Sequence, residues 1–464
     1  MTLLLVAWGA FAFGSVYPWA YRPLAAGCAM TGILGLARGD RPVIGASLWL
    51  WVALAAIALV TTFQLLPLPR VALESVSPGT VYFLANYDFQ FAMPVDDGLG
   101  GLVDVRHAVS IAPQDTAVAL WLLVAFALFL AGLLRNLSRT ATRRLAVGIV
   151  FIGCVLALVG IVQKALLGDV VYNGMKIYGF WTPEQFLASP FGPYVNKNHF
   201  GGWMLMAIPL AFGLGMASVE REQGVVRRGF SEMIIWLSSP AGGRLSMSAS
   251  AMLLMSASLL MTRSRSAMAC FVVAVAACGF AVWRRSGSRR NAPLVIGGLA
   301  GLLVLALGWA GADAEIGRFI TETDSAQLRL RAWRLALDIF RDFPVLGSGI
   351  NTFGTATILY QTDGGAHYIQ AHNDYLQLLA EGGLVVTTLL AIALIAMSGA
   401  IGRRFRDDPD RESYWVRVGA VIGLLSIGLQ SLVEFSLQMP GNAALFVVLV
   451  AMAVYEPAPL RSSK

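Results

Sequence analysis

Two arginines and one histidine are the residues of this 464-residue sequence whose types and settings could do chemistry on an anionic substrate. Arg329 lies in the run QLRLRAWRLALDIFRDFP, His372 in AHNDYLQLLAEGG, and Arg265 in the short run TRSRS. A guanidinium binds phosphate through paired, charge-assisted hydrogen bonds, and an imidazole accepts a proton near neutral pH. Such a set could hold a phosphorylated substrate and activate a hydroxyl group beside it.

Helical phase separates Arg329 from the other arginines of its run. Residues 326 to 343 are predicted to form an amphipathic helix, at about 100° per residue. Its polar face carries Arg331, Arg334, Asp338, Arg341 and Asp342. Arg329 falls on the apolar face with Trp333 and Phe340, and a cation buried there needs an anion. We predict a substrate phosphate as that anion, with a protein carboxylate as the alternative. Arg331 is kept as an alternate phosphate contact.

The run AHNDYLQLLAEGG predicts a short helix that ends at Gly382 and Gly383. One stripe of that helix carries His372, Tyr375, Leu376 and Leu379. This phase directs His372 inward, toward the apolar runs. A structural histidine is the alternative, but we favour a functional one because His372 shares a segment with Arg329.

The neighbours of His372 give further candidates. Asn373 and Tyr375 are predicted substrate contacts. His367 could join His372 on a metal ion, but no carboxylate or cysteine cluster completes such a site. We therefore expect neither a metal nor another cofactor.

Two more polar clusters adjoin apolar runs. Arg263 and Arg265 lie in a short turn between two such runs, where they either bind lipid headgroups or hold an anionic substrate. The run FGPYVNKNHFGG offers amide and cationic donors on Asn196, Lys197, Asn198 and His199. These residues either cap a helix or contact a sugar diphosphate. Glu434, in a late apolar run, is a candidate partner for one of the arginines.

Composition sets the class of fold. With 57% hydrophobic residues, 13% charged residues and a mean hydropathy of +0.68, the chain has more apolar surface than a soluble core buries. We predict an all-α polytopic membrane protein with about twelve transmembrane helices, each of about 20 residues. The predicted spans are 3–20, 23–38, 45–66, 115–134, 145–166, 199–218, 246–262, 266–283, 293–311, 383–402, 415–436 and 440–456. The net charge of +7 does not indicate nucleic-acid binding, because the basic residues form short clusters between apolar runs. All four cysteines lie in apolar runs, which favours a packing role.

Charge sets the predicted topology. When the connections alternate, the arginine clusters fall on one side, which is cytoplasmic by the positive-inside rule, as are both termini. Residues 1–311 would form a bundle of nine spans, 312–382 a large helical periplasmic loop, and 383–464 the last three spans and a cytoplasmic tail. Asp96 and Asp97, in the outer segment 67–114, could shape an acceptor site.

A site on the periplasmic face has no ATP, and the chain has no Walker motif and no GxSxG elbow. The free energy for a reaction must therefore arrive with the substrate, and a lipid-linked sugar diphosphate meets that requirement. A transporter is the rival class and a structural scaffold a third. A transporter has little use for a long outer loop that carries both Arg329 and His372.

Four runs resemble one family. NKNHFGG, TRSRS, RLRAWRLALDIFRDFPVLGSGINTF and HNDYLQLLAEGG are similar to motifs of the bacterial O-antigen ligase and polymerase superfamily, and the resemblance extends from Phe191 to SLVEFSLQMPGN. It implies a membrane glycosyltransferase of the C-type fold in the bacterial inner membrane. Such an enzyme takes a glycan from undecaprenyl diphosphate on the periplasmic face, without a metal and with inversion.

By position, the resemblance assigns diphosphate binding to Arg265 and Arg329, and acceptor activation or orientation to His372. Ser266 stands where the family commonly has a glycine. The implied acceptor is lipid A-core, another lipid-linked repeat or a protein. Membrane lipid is a further expected partner, because it surrounds the bundle. We favour a ligase or polymerase over a protein O-oligosaccharyltransferase.

Overall fold

The computed structural model describes residues 1–39, 47–93, 105–167, 176–184, 189–221, 238–285, 323–361, 367–408 and 410–456. Its first eight helices are α1 Thr2–Phe11, α2 Pro18–Arg38, α3 Leu48–Gln64, α4 Arg70–Val76, α5 Pro78–Tyr87, α6 Phe89–Ala92, α7 Pro113–Asn136 and α8 Arg139–Leu167. The next eight are α9 Lys197–Arg221, α10 Pro240–Met261, α11 Arg265–Arg285, α12 Thr323–Asp342, α13 Phe353–Thr357, α14 Asp374–Asp407, α15 Arg411–Gln430 and α16 Pro440–Val454. The protein is thus mostly helical.

Among these described helices, seven are long and apolar enough to cross a membrane: α7, α8, α9, α10, α11, α14 and α15. Helices α1, α3 and α16 are shorter but apolar. The predicted class, a helical polytopic membrane protein, is confirmed. The number twelve stays a prediction, because the span at 293–311 lies outside the described residues.

The predicted first span is not one helix. Helix α1 ends at Phe11, and a 3₁₀ turn at Phe13–Ser15 precedes α2, which starts at Pro18. Gly14 has φ 67°, and a Cβ there would lie 2.8 Å from the ring of Tyr194. The chain reverses at this glycine because the left-handed conformation suits it, and Pro18 is preorganised for the first turn of the next helix.

Helices α9 and α15 form the centre of the bundle. In α9, 78% of the most apolar window is buried, and in α15, 67%. A Cβ at Gly423 of α15 would lie 2.9 Å from the backbone oxygen of Met206 in α9. Small residues permit this close backbone approach, which is how membrane helices pack without a hydrophobic driving force between them.

The arginine-rich helix ends gather at one end of the bundle. Ion pairs join Arg139 to Asp408 at 3.1 Å and Arg285 to Glu220 at 3.2 Å. Thr2 lies at this end, in a groove that Asn136 and Arg144 also line. The side of the membrane that this end faces stays a prediction from charge.

At the opposite end, the second lobe comprises residues 67–93, 105–112, 327–361 and 367–382. It has its own apolar core, formed by Leu73, Phe83, Leu84, Phe91, Val109, Ile111, Ala336, Ile339, Phe343, Phe353, Ala356, Ala371 and Ala380. A short antiparallel sheet joins β1, Pro67–Pro69, to β2, Arg106–Ala108, and is an exception to the predicted all-α class. The lobe therefore includes residues that the division from sequence placed with the bundle. Asp96 and Asp97 lie outside the described residues.

The second lobe contacts the bundle where the backbone around Gly347 crosses the backbone of Glu381 and Gly383. The predicted helix end at Gly383 is instead a kink inside α14, with φ 60° and ψ −165°, at which the helix turns from the lobe into the bundle. Gly347 has φ 73°, and a Cβ there would overlap the backbone carbonyl of Glu381. Gln64 at the end of α3 donates to the carbonyl oxygens of Leu346 and Glu381, at 2.6 and 3.2 Å.

We expect Gly347→Ala to lower the free energy of unfolding by about 2–4 kcal/mol, because the added Cβ meets backbone that cannot move aside and the φ value disfavours alanine. Thermal unfolding in nanodiscs measures the change. Gly402→Ala is the matched control, since a Cβ at this helical position meets nothing within 4 Å. Equal unfolding midpoints for the two variants would contradict the close contact between Gly347 and the backbone of Glu381.

Candidate active site

A buried carboxylate lies where the second lobe meets the bundle. Glu434 follows α15, and its side chain is 0% exposed. Its Oε1 accepts hydrogen bonds from Nη2 of Arg329 and, at 2.7 Å, from Nδ2 of Asn198. Its Oε2 lies 3.5 Å from Nδ1 of His372. Residues that sequence reasoning took from three separate runs therefore meet at one carboxylate.

Arg329 reaches Glu434 from α12. The buried positions of that helix are Ala332, Ala336 and Ile339. These share the face of Arg329, whose side chain is 34% exposed. The structure gives Arg329 a protein carboxylate as its anion, which was the alternative to the predicted phosphate. Arg331 and Arg334 are exposed on the other side of the helix.

His372 does not lie in a helix, so the predicted stripe was wrong. Its φ is 52°, and Asn373 caps α14 by accepting hydrogen bonds from the backbone N–H groups of Tyr375 and Leu376, at 3.1 and 3.0 Å. Because a side-chain cap fixes where a helix starts, the helix begins one residue after Asn373. The ring of Tyr375 is exposed, and the buried face of this part of α14 carries Gln377, Ala380 and Glu381.

The capped helix start nevertheless places His372 beside Glu434. The backbone N–H of Asp374 donates to the carbonyl of Ser431 at 2.9 Å, which joins the start of α14 to the end of α15. The ring of His372 lies edge-on to Phe435, with ring centroids 4.9 Å apart. Its side chain is 35% exposed, so the ring is accessible while one nitrogen faces the carboxylate.

In the run around His199, some residues cap α9 and others lie at the site around Glu434. Oδ1 of Asn196 accepts a hydrogen bond from the backbone N–H of Asn198 at 2.8 Å, and Lys197 is the first residue of α9. The ring of His199 is buried and lies edge-on to Phe435 at 4.6 Å, so that Phe435 contacts both imidazoles. Asn198 and His199 therefore join the site, and Asn196 has the predicted alternative role, a helix cap.

A buried hydrogen-bond chain supports this arrangement. The hydroxyl of Tyr194 lies 2.9 Å from Oδ1 of Asn442, whose Nδ2 donates to the carbonyl oxygens of His199 and Ser436, both at 3.0 Å. Burial raises the pKa of Tyr194 well above its usual value, and Tyr178 raises it further. The phenol therefore stays protonated and remains a donor to Asn442.

The turn that carries Arg263 and Arg265 lies next to α9. Arg263 is exposed with φ 53°, whereas Arg265 is partly buried at the start of α11. A Cβ at Gly201 of α9 would lie 2.6 Å from Cβ of Ala267 and 4.0 Å from Nε2 of Gln430. Gln430 in turn donates to the carbonyl of Asn198 at 3.0 Å. Ala267, in the first turn of α11, is thus linked through Gln430 to the residues around Glu434.

Glu381 is a residue that sequence reasoning missed. It is buried, and its carboxylate accepts hydrogen bonds from the backbone N–H groups of Asn351 and Phe353, at 2.8 and 3.0 Å. Nε2 of Gln377 also donates to it, at 3.1 Å. These bonds hold the loop between α12 and α13 against α14. The available signal was a helical Gln and Glu four residues apart, just before a Gly-Gly pair.

The described residues contain no group of three or more His, Cys, Asp or Glu side chains that could hold a metal ion. His367 bonds through Nδ1 to Oε1 of Gln361 at 2.9 Å, rather than facing His372. The arrangement around Glu434 instead offers a guanidinium that can bind phosphate and an imidazole that can accept a proton.

A comparison with known protein families indicates the general class of activity. The family described as O-antigen ligase matches residues 250–391. This match supports membership in the O-antigen ligase and polymerase superfamily for that part of the chain. The match contains Arg265, Arg329 and His372, whereas Asn198 and Glu434 lie outside it. A search of curated proteins gave no match. The match supports glycan transfer as the general class of activity, and the long apolar helices agree with a membrane protein.

Proposed function

We propose that the protein transfers an oligo- or polysaccharide from undecaprenyl diphosphate to an acceptor hydroxyl at the periplasmic face of the bacterial inner membrane. It would act as a ligase or polymerase in the synthesis of surface polysaccharide. The observation that carries the proposal is the meeting of Arg329 and His372 at one buried carboxylate between the second lobe and the bundle.

Each residue has a distinct part in this reaction. Arg329 and Arg265 hold the diphosphate and neutralise the charge that develops on it as the bond to the sugar breaks. His372 accepts the proton of the acceptor hydroxyl while that oxygen attacks the anomeric carbon. The electron pair of the broken carbon–oxygen bond leaves with undecaprenyl diphosphate, and direct displacement inverts the anomeric centre.

The remaining candidates surround this centre. Asn198 lies beside Glu434, where its amide can contact the sugar or diphosphate, and the buried ring of His199 packs against Phe435. Arg263, Arg331, Lys197, Asn196, Asn373 and Tyr375 stay as outer substrate contacts. No metal is required, because the two arginines supply the positive charge that a divalent cation would otherwise bring.

The test is transfer by the purified chain in nanodiscs, with undecaprenyl diphosphate glycan as donor and EDTA present. Lipid A-core, lipid-linked repeats and acceptor proteins are supplied in separate reactions, so that the product identifies the acceptor class. We expect His372→Ala to lower the transfer rate by about 10²–10⁴-fold, the usual contribution of a general base. His367→Ala is the matched control, and its rate should match that of the wild type.

Undiminished transfer by the His372 variant would remove the assigned base. Movement of the glycan across the bilayer without formation of a glycosidic bond would instead indicate the rival class, a transporter. Product analysis by mass spectrometry separates these two results.

A further inference from the structure

We propose that Glu434 is a positioning residue with two partners in turn. Before the donor binds, Glu434 pairs with Arg329 at the position that the substrate phosphate takes, and once the donor has bound it holds and orients His372. This inference rests on the proposed function, and it extends the part that the sequence predicts for Glu434, a partner for one arginine, to a second partner, His372.

The first partner is already in place. Oε1 of Glu434 accepts hydrogen bonds from Arg329 and Asn198, whereas Oε2 is 3.5 Å from Nδ1 of His372. Arg329 and Asn198 are in direct hydrogen-bond contact with Oε1, whereas the distance to His372 exceeds the usual N–H···O range of about 2.7–3.2 Å. The carboxylate is therefore committed to Arg329 and only loosely engaged with His372.

Charge explains why a donor would change this arrangement. Glu434 carries one negative charge and is fully buried, so it must keep a cationic or hydrogen-bonding partner. A diphosphate carries more charge and presents more acceptor oxygens, and Arg329 is accessible enough to meet it. When the diphosphate takes over Arg329, the carboxylate loses its cation, and Nδ1 of His372, 3.5 Å from Oε2, is the group next to it that can donate a hydrogen bond.

The new pairing would prepare His372 for its reaction. With a proton on Nδ1 donated to Glu434, Nε2 is the free nitrogen that faces the acceptor. The proton of the acceptor hydroxyl moves to Nε2, the oxygen bonds to the anomeric carbon, and the bond to the diphosphate breaks. The carboxylate then stabilises the imidazolium that forms, as in a carboxylate–histidine pair of a hydrolase.

Other ionisable groups also face this histidine. Arg329 lies on the far side of Glu434 and disfavours a second cation. His199 lies across Phe435, and Asp374 follows two residues later with its Oδ1 bonded to Gln438 at 2.8 Å. Substituting Glu434 alone leaves all of these groups in place.

The test compares Glu434→Gln with the wild-type full chain in nanodiscs, using undecaprenyl diphosphate without a glycan as the binding probe. The amide keeps the shape and one acceptor but cannot compete for Arg329. We expect Glu434→Gln to bind the probe about 10-fold more tightly. With the complete donor, we expect kcat to fall about 10–100-fold while KM for the donor also falls.

The pH profile supplies a readout that a merely structural role would not move. The carboxylate of Glu434 stabilises the protonated imidazole next to it, and Glu434→Gln removes that charge. The acidic limb of kcat should therefore shift to lower pH by about one unit in Glu434→Gln. Glu434→Asp keeps the charge, so its probe affinity and acidic limb should stay close to those of the wild type.

Glu412→Gln, at the arginine-rich end where Glu412 pairs with Arg143 at 2.7 Å, is the matched control and should change neither readout. Probe binding by Glu434→Gln that is equal to or weaker than wild type, or an unshifted pH profile, would overturn the role of Glu434. If the wild type neither binds the probe nor transfers glycan, the proposed function itself fails.

Discussion

Arg329→Ala is expected to lower the rate of glycan transfer by about 10³-fold, at the upper end of what one preorganised charge contributes to a transition state. The loss has two sources. The diphosphate loses a donor that neutralises its developing charge, and Glu434, which is 0% exposed, loses its cation. The measurement is the transfer rate at saturating donor with protein that elutes as a single species.

Arg329→Lys separates these two sources. Lysine restores the charge beside Glu434 but is a point donor that cannot bind phosphate through two parallel hydrogen bonds. We expect it to unfold at the wild-type temperature and yet to transfer about 10–100-fold more slowly. Wild-type activity in Arg329→Lys would show that only charge at this position matters.

The same helix supplies the control. Arg334 and Arg341 lie on the exposed face of α12, and Arg341 pairs with Asp338 at 2.6 Å in solvent. Exposed ion pairs contribute about 0–1 kcal/mol, so Arg334→Ala and Arg341→Ala should leave folding and transfer almost unchanged. If Arg334→Ala impairs transfer as strongly as Arg329→Ala, then the inward position of Arg329 on α12 does not give it a special role in the reaction.

The phase of Arg329 could be predicted from sequence because an amphipathic helix has one dominant periodicity. The apolar residues around position 329 already required that face to pack inward, and Ala332, Ala336 and Ile339 are buried. His372 was different. The predicted stripe required a helix that includes His372, but the Asn373 side chain caps the helix and starts it after the histidine. The cap and the hydrogen bond from Asp374 to Ser431 therefore determine where His372 lies.

The contacts that complete the site join residues far apart in the chain. Gln64 bonds to the carbonyls of Leu346 and Glu381, and the core of the second lobe combines Leu73 and Phe83 with Ile339 and its neighbours. Periodicity describes one segment at a time and carries no information about which segments pair. Membrane spans could be predicted because each is a local property, but the union of two outer segments into one lobe could not.

Arg417→Met is expected to lower the free energy of unfolding by about 3–5 kcal/mol, the cost of breaking a buried ion pair from one side. Arg417 is 1% exposed, and Asp408, which it contacts at 3.3 Å, is also 1% exposed. The guanidinium also donates to the carbonyl oxygens of Ala453 and Tyr455, at 3.1 and 3.4 Å, near the end of α16. The variant leaves a buried carboxylate and terminal carbonyls without these donors.

Unfolding in nanodiscs or by titration with SDS measures this change. Arg411→Met in the same helix is the matched control, because Arg411 is half exposed and 3.9 Å from Glu220, so its loss should cost less than about 1 kcal/mol. Arg417→Met combined with Asp408→Leu should recover part of the loss, since removing both charges leaves no buried ion unpaired. Asp408 also binds Arg139 at 3.1 Å, but Arg139 is 24% exposed and can turn to lipid headgroups. A double variant less stable than Arg417→Met would mean that the arginine acts mainly through the carbonyls of α16 and not through Asp408.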